Sequence, residues 1–328
     1  MPIKIFKKSA VSNKTKTLPN TTFDVLPTPA SSKNSGLIPF IDKLSVVVTV
    51  QDNDAASIFT NIWTQICDKT VFNEAGYKAK GKYSFAKFVG LQACTARPLL
   101  QFLHEGKKAL RFRIEFNPSA IGSIGFSELH GVLTSIMPGG WDYVIEYGRI
   151  SRIDIAVDIP EARPGMFAVL PKQGLSTKEW TVAGKLQTLV LGKKGGNQTL
   201  IYNKKAQQLG QGKPWEGKAT VRVERRMLNP AIKKLSSLPD LPNPFAALSL
   251  TELLNAPPTE KEWLWSLFKD SVSVRGLPAA LARLPKAKRT LYRKHLESQP
   301  HQLWGPSVIW TNWLAALGEH DLHKFHHQ

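Results

Sequence analysis

The chain has 328 residues, enough for one large domain or two smaller ones. Its 42% hydrophobic and 21% charged residues exclude wholesale disorder, and no run of about 18 apolar residues is present to cross a bilayer. Lysine and arginine outnumber aspartate and glutamate 44 to 25, a formal charge of +19, which is self-repelling unless a polyanion partners it. Nucleic acid fits that role better than a membrane surface, because no basic amphipathic helix with a broad apolar face stands out. The cysteines, Cys67 and Cys94, are too few for a disulfide scaffold or a zinc cage. The expected location is a reducing cytoplasm, and the lysine-rich start lacks the apolar stretch of a secretory signal.

Residues 1–38 hold Lys4, Lys7, Lys8, Lys14, Lys16 and Lys33 against Asp24 alone, and are expected to be a disordered basic tail. Order is expected to begin at Ile41-Asp42-Lys43-Leu44 and to run into a β-branched strand over 45–50. Ile58, Ile62 and Ile66 recur every four residues and predict a helix over 54–68. Residues 110–116 alternate as a strand, and 126–137 read as a helix stopped by Pro138-Gly139-Gly140. Further strands are predicted over 151–159, over 187–191 and 198–203 as a Gly-rich hairpin, and over 219–227. The proline-rich stretch 238–244 reads as a linker, and beyond it the pattern is helical. Thr259-Glu260-Lys261-Glu262 matches a capping box there. This order predicts an α+β fold, an antiparallel sheet with helices packed on one face, plus a helical C-terminal region. The domains are read as 39–235 and 236–328 after the tail.

Side chains alternate along a strand. In 152–158, Ile153, Ile155 and Val157 therefore face the core, while Arg152, Asp154, Ala156 and Asp158 share the opposite face. Two carboxylates so close on one face repel unless a positive charge sits between them, and a divalent cation with oxygen ligands would supply it. In 221–226 the valines point inward and Arg222, Glu224 and Arg226 face out, which by itself reads first as an Arg–Glu–Arg ladder, while Glu224 could instead complete a three-carboxylate site. Arg222 has the planar fork that holds a phosphate oxygen. Tyr202 ends the intervening hairpin beside Lys204 and Lys205, with Lys193 and Lys194 in its turn. A tyrosine close to acids, lysines and an arginine suits nucleophilic attack on a phosphodiester. Residues 277–299 read as one or two basic helices able to lie on DNA phosphates through Lys286, Arg289 and Arg293.

These segments, in order, resemble the replication initiation factor family of rolling-circle plasmids and filamentous phages (the Rep_trans type). The matching stretches are Ile41-Asp42-Lys43-Leu44, Arg152-Ile-Asp-Ile-Ala-Val-Asp158, Leu191-Gly192 with Leu200-Ile-Tyr-Asn-Lys204, and Arg222-Val-Glu224. The resemblance covers residues 40–230. It departs from the family at Leu200, where an arginine is usual, and at Gly196, where a serine is usual. It implies a HUH-endonuclease-like fold and a DNA nicking and joining enzyme. By match Tyr202 is the nucleophile, and in place of the family arginine missing at Leu200 either Lys204 or Arg222 is expected to supply the positive charge. Asp154, Asp158 and Glu224 would hold Mg²⁺ or Mn²⁺, with Asp42 and Glu115 on neighbouring strands as further candidates. Origin DNA, first double- and then single-stranded, would be the substrate, gripped by Arg152, Lys193, Lys194, Lys205, Arg226 and the basic helix.

A host helicase and polymerase are the implied partners, and strand closure needs either a second copy supplying the second nucleophile or water to resolve the adduct. Tyr143 and Tyr147 are the reserve nucleophiles. The competing readings are a non-catalytic DNA-binding regulator of the same fold, favoured by Leu200, and an RNA-binding or chaperone protein, supported by charge and by aromatics such as Trp215.

Overall fold

The computed structural model describes residues 36–66, 71–76, 83–103, 110–162, 167–170, 176–300 and 303–325. The expected tail lies outside the described residues up to position 35, as do Cys67, His326 and His327. Cys94 is a free thiol.

The fold is α+β, and one antiparallel sheet of ten strands dominates the described residues. Its first half runs β2 (Phe72–Glu74), β3 (Phe85–Val89), β4 (Leu99–Leu103), β5 (Arg111–Phe116) and β1 (Pro39–Thr49). It continues through β6 (Gly148–Pro160), β11 (Thr220–Leu228), β10 (Gln198–Asn203), β9 (Lys185–Leu191) and β8 (Thr177–Val182). β7 (Phe167–Leu170) pairs separately with β12 (Ser249–Glu252).

The apolar half of each alternating strand makes the core. Leu44, Val46 and Val48 of β1, Phe112 and Ile114 of β5, and Ile153, Ile155 and Val157 of β6 are all fully buried. Helices cover this face. In α1 (Asp52–Ile66) the buried Ile58 and Ile62 sit one turn apart, each contributing roughly 1.5–3 kcal/mol of burial. α2 (Pro118–Thr134) starts earlier than the apolar pattern suggests. Asn117 caps it by accepting from the amide of Ala120 at 3.0 Å, and Gly122, at φ 63°, breaks it into two pieces. Trp141, in α3 (Trp141–Tyr147), fits edge-on against Phe116 and Phe126.

Two bulges adjust the central strands. β1 advances two residues from Ile41 to Lys43 while β6 advances one, and β6 gains a residue between Arg152 and Ile150 opposite Ser45 and Val46. Both flanking pairs of isoleucine and leucine stay in the core, so Asp42 and Lys43, and likewise Ser151 and Arg152, stand side by side on the outer face. Gly148 opens β6 against α3, and a Cβ there would lie 2.1 Å from the Val144 carbonyl oxygen and 2.7 Å from Val46. Gly148→Ala is therefore expected to lower stability by about 2 kcal/mol, read from the urea midpoint of the full chain.

The stretch taken for a linker is packed instead. A 3-10 helix at Leu235–Asp240 buries Leu235 and Leu238, and Leu241 and Phe245 follow them into the same core. Apolar residues at this spacing outweigh the prolines as a structural signal. After α7 (Pro306–Thr311), Trp313 of α8 (Trp313–Gly318) donates its indole N–H to the Leu238 carbonyl at 2.9 Å, and Trp141 donates to the Leu322 carbonyl at 3.1 Å. The capping-box reading also needs correction. α5 begins at Glu262 and runs to Ala282, with Lys261 at its N-cap and no side-chain cap. Glu260 instead accepts from Lys288 at 2.5 Å. α5, α6 (Lys286–Glu297) and their neighbours enclose a smaller core of Trp265, Phe268, Tyr292 and Leu296.

Candidate active site

The outer face of β1, β6, β11 and β10 is where the predicted chemistry gathers. Antiparallel pairing sets Arg222 opposite Asp158, Glu224 opposite Ala156, Arg226 opposite Asp154 and Tyr202 opposite Arg222. The small Ala156 leaves the space over which these long side chains meet. Asp154 is 1% exposed, Glu224 4%, Tyr202 5% and Arg222 8%, so the network is charged and nearly dry.

Arg222 grips Asp158 with both tines of its fork, Nε to Oδ1 at 2.7 Å and Nη2 to Oδ2 at 2.8 Å. Its Nη1 donates to Asp42 Oδ1 at 2.5 Å, and its plane lies 4.8 Å from the ring centre of Phe40. The β1 bulge is what brings Asp42 to this face. Arg152 holds Asp154 through Nε at 2.9 Å and Nη2 at 2.5 Å. Arg226 bridges Glu224 at 3.0 Å and Asp154 at 3.4 Å. The Tyr202 hydroxyl donates to the other Glu224 oxygen at 3.2 Å. Lys204 opens α4 (Lys204–Gly210) with its ammonium 5.9 Å from the Tyr202 ring centre.

Burial and the neighbouring Glu224 carboxylate push the Tyr202 phenol far above its ordinary range, against the pull of Arg222. Burial, then Asp42 and Asp154, raise Glu224 above the usual carboxylate range, partly offset by Arg226. Burial and then Arg222 lower Lys204. The pair is thus a reluctant phenol with a proton acceptor of raised basicity already in contact.

Guanidinium groups occupy the places between carboxylates that sequence reading gives to a divalent cation. Arg222 stands between Asp42 and Asp158, and Arg226 between Asp154 and Glu224. Among the described residues no group of three or more His, Cys, Asp or Glu is arranged to hold a metal ion. The donor set as it stands does not fit Mg²⁺ or Mn²⁺, because each of these acids already accepts from an arginine through at least one oxygen.

The other candidates are dispersed. Glu115 pairs with Lys43 at 3.0 Å and with Arg113, on the β5 side of the network. Lys193 and Lys194 are exposed in the β9–β10 turn, at the opposite end of β10 from Tyr202, and Lys205 is exposed on α4. Gly192 makes that turn at φ 102°, where a Cβ would meet the Asn197 carbonyl oxygen at 2.4 Å. On α6, Arg289 donates to the carbonyls of Leu281, Ala282 and Leu284 at 3.0–3.1 Å, closing the end of α5, and Arg293 pairs with Glu297 at 3.1 Å. Lys286 is exposed. Of the reserve tyrosines, Tyr143 ties α3 to α1, donating to Asp54 at 3.0 Å and accepting from the Gln51 amide at 3.1 Å. Tyr147 is 40% exposed.

Sequence reasoning missed Phe40 and the brace of Ser45 and Gln101 on Arg113, each at 2.6 Å. Two polar residues set between two apolar ones, Ile41-Asp-Lys-Leu44 and Ile150-Ser-Arg-Ile153, are the signal that points to the bulged face.

Fold and site together define an α+β protein whose central antiparallel sheet carries a buried phenol–carboxylate–guanidinium network. No protein-family model matches the chain, and no curated protein sequence matches it. Among solved structures it is similar to a rolling circle replication initiator protein from Geobacillus stearothermophilus. That match has 14% identity, covers 73% of this chain and 97% of that chain, and has a TM-score of 0.35. Among the described residues no helix is long and apolar enough to cross a membrane.

Proposed function

We propose that the chain initiates rolling-circle replication by nicking one strand of origin DNA through Tyr202. The observation that carries this reading is the Tyr202 hydroxyl donating to Glu224 at 3.2 Å on a face rich in arginine. The ordered motif set of residues 40–230 supports it. In the proposed step the phenol oxygen attacks the scissile phosphorus while Glu224 takes the phenolic proton. The P–O3′ bond breaks, leaving a 5′-phosphotyrosyl adduct, and the departing 3′ oxygen takes a proton from Lys204 or water to become a primer end. Arg222, turning a donor from Asp42 toward the phosphate, offsets charge building on the non-bridging oxygens. Joining reverses the same steps with a new 3′ hydroxyl, and a second subunit supplies the second nucleophile.

The test is incubation with supercoiled DNA carrying the protein's own coding region, with Mg²⁺, Mn²⁺ or EDTA. Nicked circles and a protein–DNA adduct on a denaturing gel support the reading, and their absence on any origin-bearing DNA overturns it. The second reading, a DNA-binding regulator without cleavage, is favoured by the ion pairing of every acid on the face and by Leu200. It predicts binding without nicks.

Glu224 makes the rate pH-dependent. It accepts a proton only when ionised, and its titration lies above the usual carboxylate range. Nicking is expected to rise as pH climbs through that raised value, and Glu224→Gln to remove this limb with a loss of about 10²–10⁴-fold. Stability moves the other way. The folded state favours the protonated carboxyl, so the contribution of Glu224 is full at low pH and lost as pH rises through the same value.

A further inference from the structure

A second basin opens on the same outer face, at the far end of β1, about 20 Å along the strand from Asp42. Its volume is about 570 Å³, within the range of small-ligand pockets. Arg111, Arg113 and Arg149 line it together with Tyr83, Tyr147 and Asn229, and none of its described lining residues is an acid. The strand register explains the convergence: Val47 lies opposite both Arg113 and Arg149, and Thr49 opposite Arg111. Arg113 is fixed by Ser45, Gln101 and Glu115. Arg111 and Arg149 have no carboxylate partner among the described residues, and Arg149 reaches only Asn229 at 3.4 Å. Two guanidinia without a carboxylate, converging beside a third that is paired, call for an anion.

The aromatic rings narrow the choice of anion. Tyr147 is 40% exposed, yet its ring is backed by Tyr143 at a centroid distance of 4.6 Å, and Tyr143 is itself pinned by Asp54 and Gln51. The two rings meet at an interplanar angle of 52°, so Tyr143 restrains Tyr147 while two-fifths of Tyr147 stays exposed, and a flat π-system could stack there at small entropic cost. Asn229, held at φ 48° with its backbone N–H donating to the Ser151 carbonyl at 2.8 Å, adds a side-chain amide able to hydrogen-bond a base.

We propose that this basin is a nucleotide-binding site, in which a base stacks on Tyr147 and its phosphate meets Arg111 and Arg149. The site stands whether or not Tyr202 cleaves DNA. The ligand is either a free mononucleotide or one residue of a single strand crossing the sheet.

The test is fluorescence anisotropy of the full chain with labelled (dT)10 in EDTA, so that no strand is cut. Tyr147→Ala leaves the net charge unchanged and is expected to weaken binding about tenfold, whereas Tyr147→Phe binds as wild type. Arg149→Ala is expected to weaken binding more than Lys178→Ala, a charge-matched change at an exposed position on edge strand β8. Competition by dTMP assigns the site to free nucleotides, and competition by unlabelled (dT)10 alone assigns it to a strand; each supports a nucleotide site. Unchanged affinity in Tyr147→Ala, or inorganic phosphate competing as well as dTMP, overturns it. Circular dichroism checks that each variant folds. Failure here leaves the adduct assay at Tyr202 untouched, and failure of that assay leaves this one standing.

Discussion

Tyr202→Phe is expected to bind origin DNA within about twofold of wild type while losing nicking and adduct formation by a factor on the order of 10⁴ or more. The change removes one oxygen and keeps the ring in place under Lys204. Phosphate contacts made by exposed lysines elsewhere are unaffected, so binding and cleavage separate cleanly. The lost hydroxyl leaves one Glu224 oxygen without its donor, and solvent or Arg226 can satisfy it. The measurement is a denaturing gel of protein crosslinked to end-labelled DNA, with anisotropy on the same substrate. Nicking that survives the substitution moves the nucleophile to another group, and Tyr147, exposed at 40%, is the tyrosine to examine next.

The largest stability effect is expected at Arg222. Its guanidinium is the counter-charge for both Asp42 and Asp158 and has a side chain only 10% exposed. Arg222→Met leaves two partly buried carboxylates, 17% and 34% exposed, without their counter-charge, a loss of about 3 kcal/mol. For a protein of this size that is a fall of roughly 5 °C in melting temperature. Neutralising the acids tests the cause. Asp42→Asn and Asp158→Asn added to Arg222→Met should recover a substantial part of the loss, because the partners are coupled. A triple variant no more stable than Arg222→Met would show that packing against Phe40 carries the effect.

The parts of this face that sequence made legible are those governed by strict alternation. Ile153, Ile155 and Val157 against Asp154 and Asp158, and Val221 and Val223 against Arg222 and Glu224, fall on their expected sides. Strand pairing then brings Tyr202 to Glu224, a contact across 22 residues of sequence. Alternation says nothing about pairing partners, so the division of acids among arginines was not legible. Nor was the bulge that delivers Asp42, because an extra residue breaks the period on which the reading depends. At Leu235 and Leu238 the prolines nearby obscured an apolar spacing that the core uses. At Arg289 composition marked a basic helix, whereas geometry turns that guanidinium onto the carbonyls ending α5.

The paired bulges in β1 and β6 also constrain how this protein can change. Each depends on a single surplus residue, so a one-codon loss between 41 and 43 would straighten the ladder and swing Phe40 and Pro39 through half a turn. Substitutions in this segment act locally, but indels act on everything upstream at once. The geometry of these two strands therefore tolerates a change of residue type far better than a change of length.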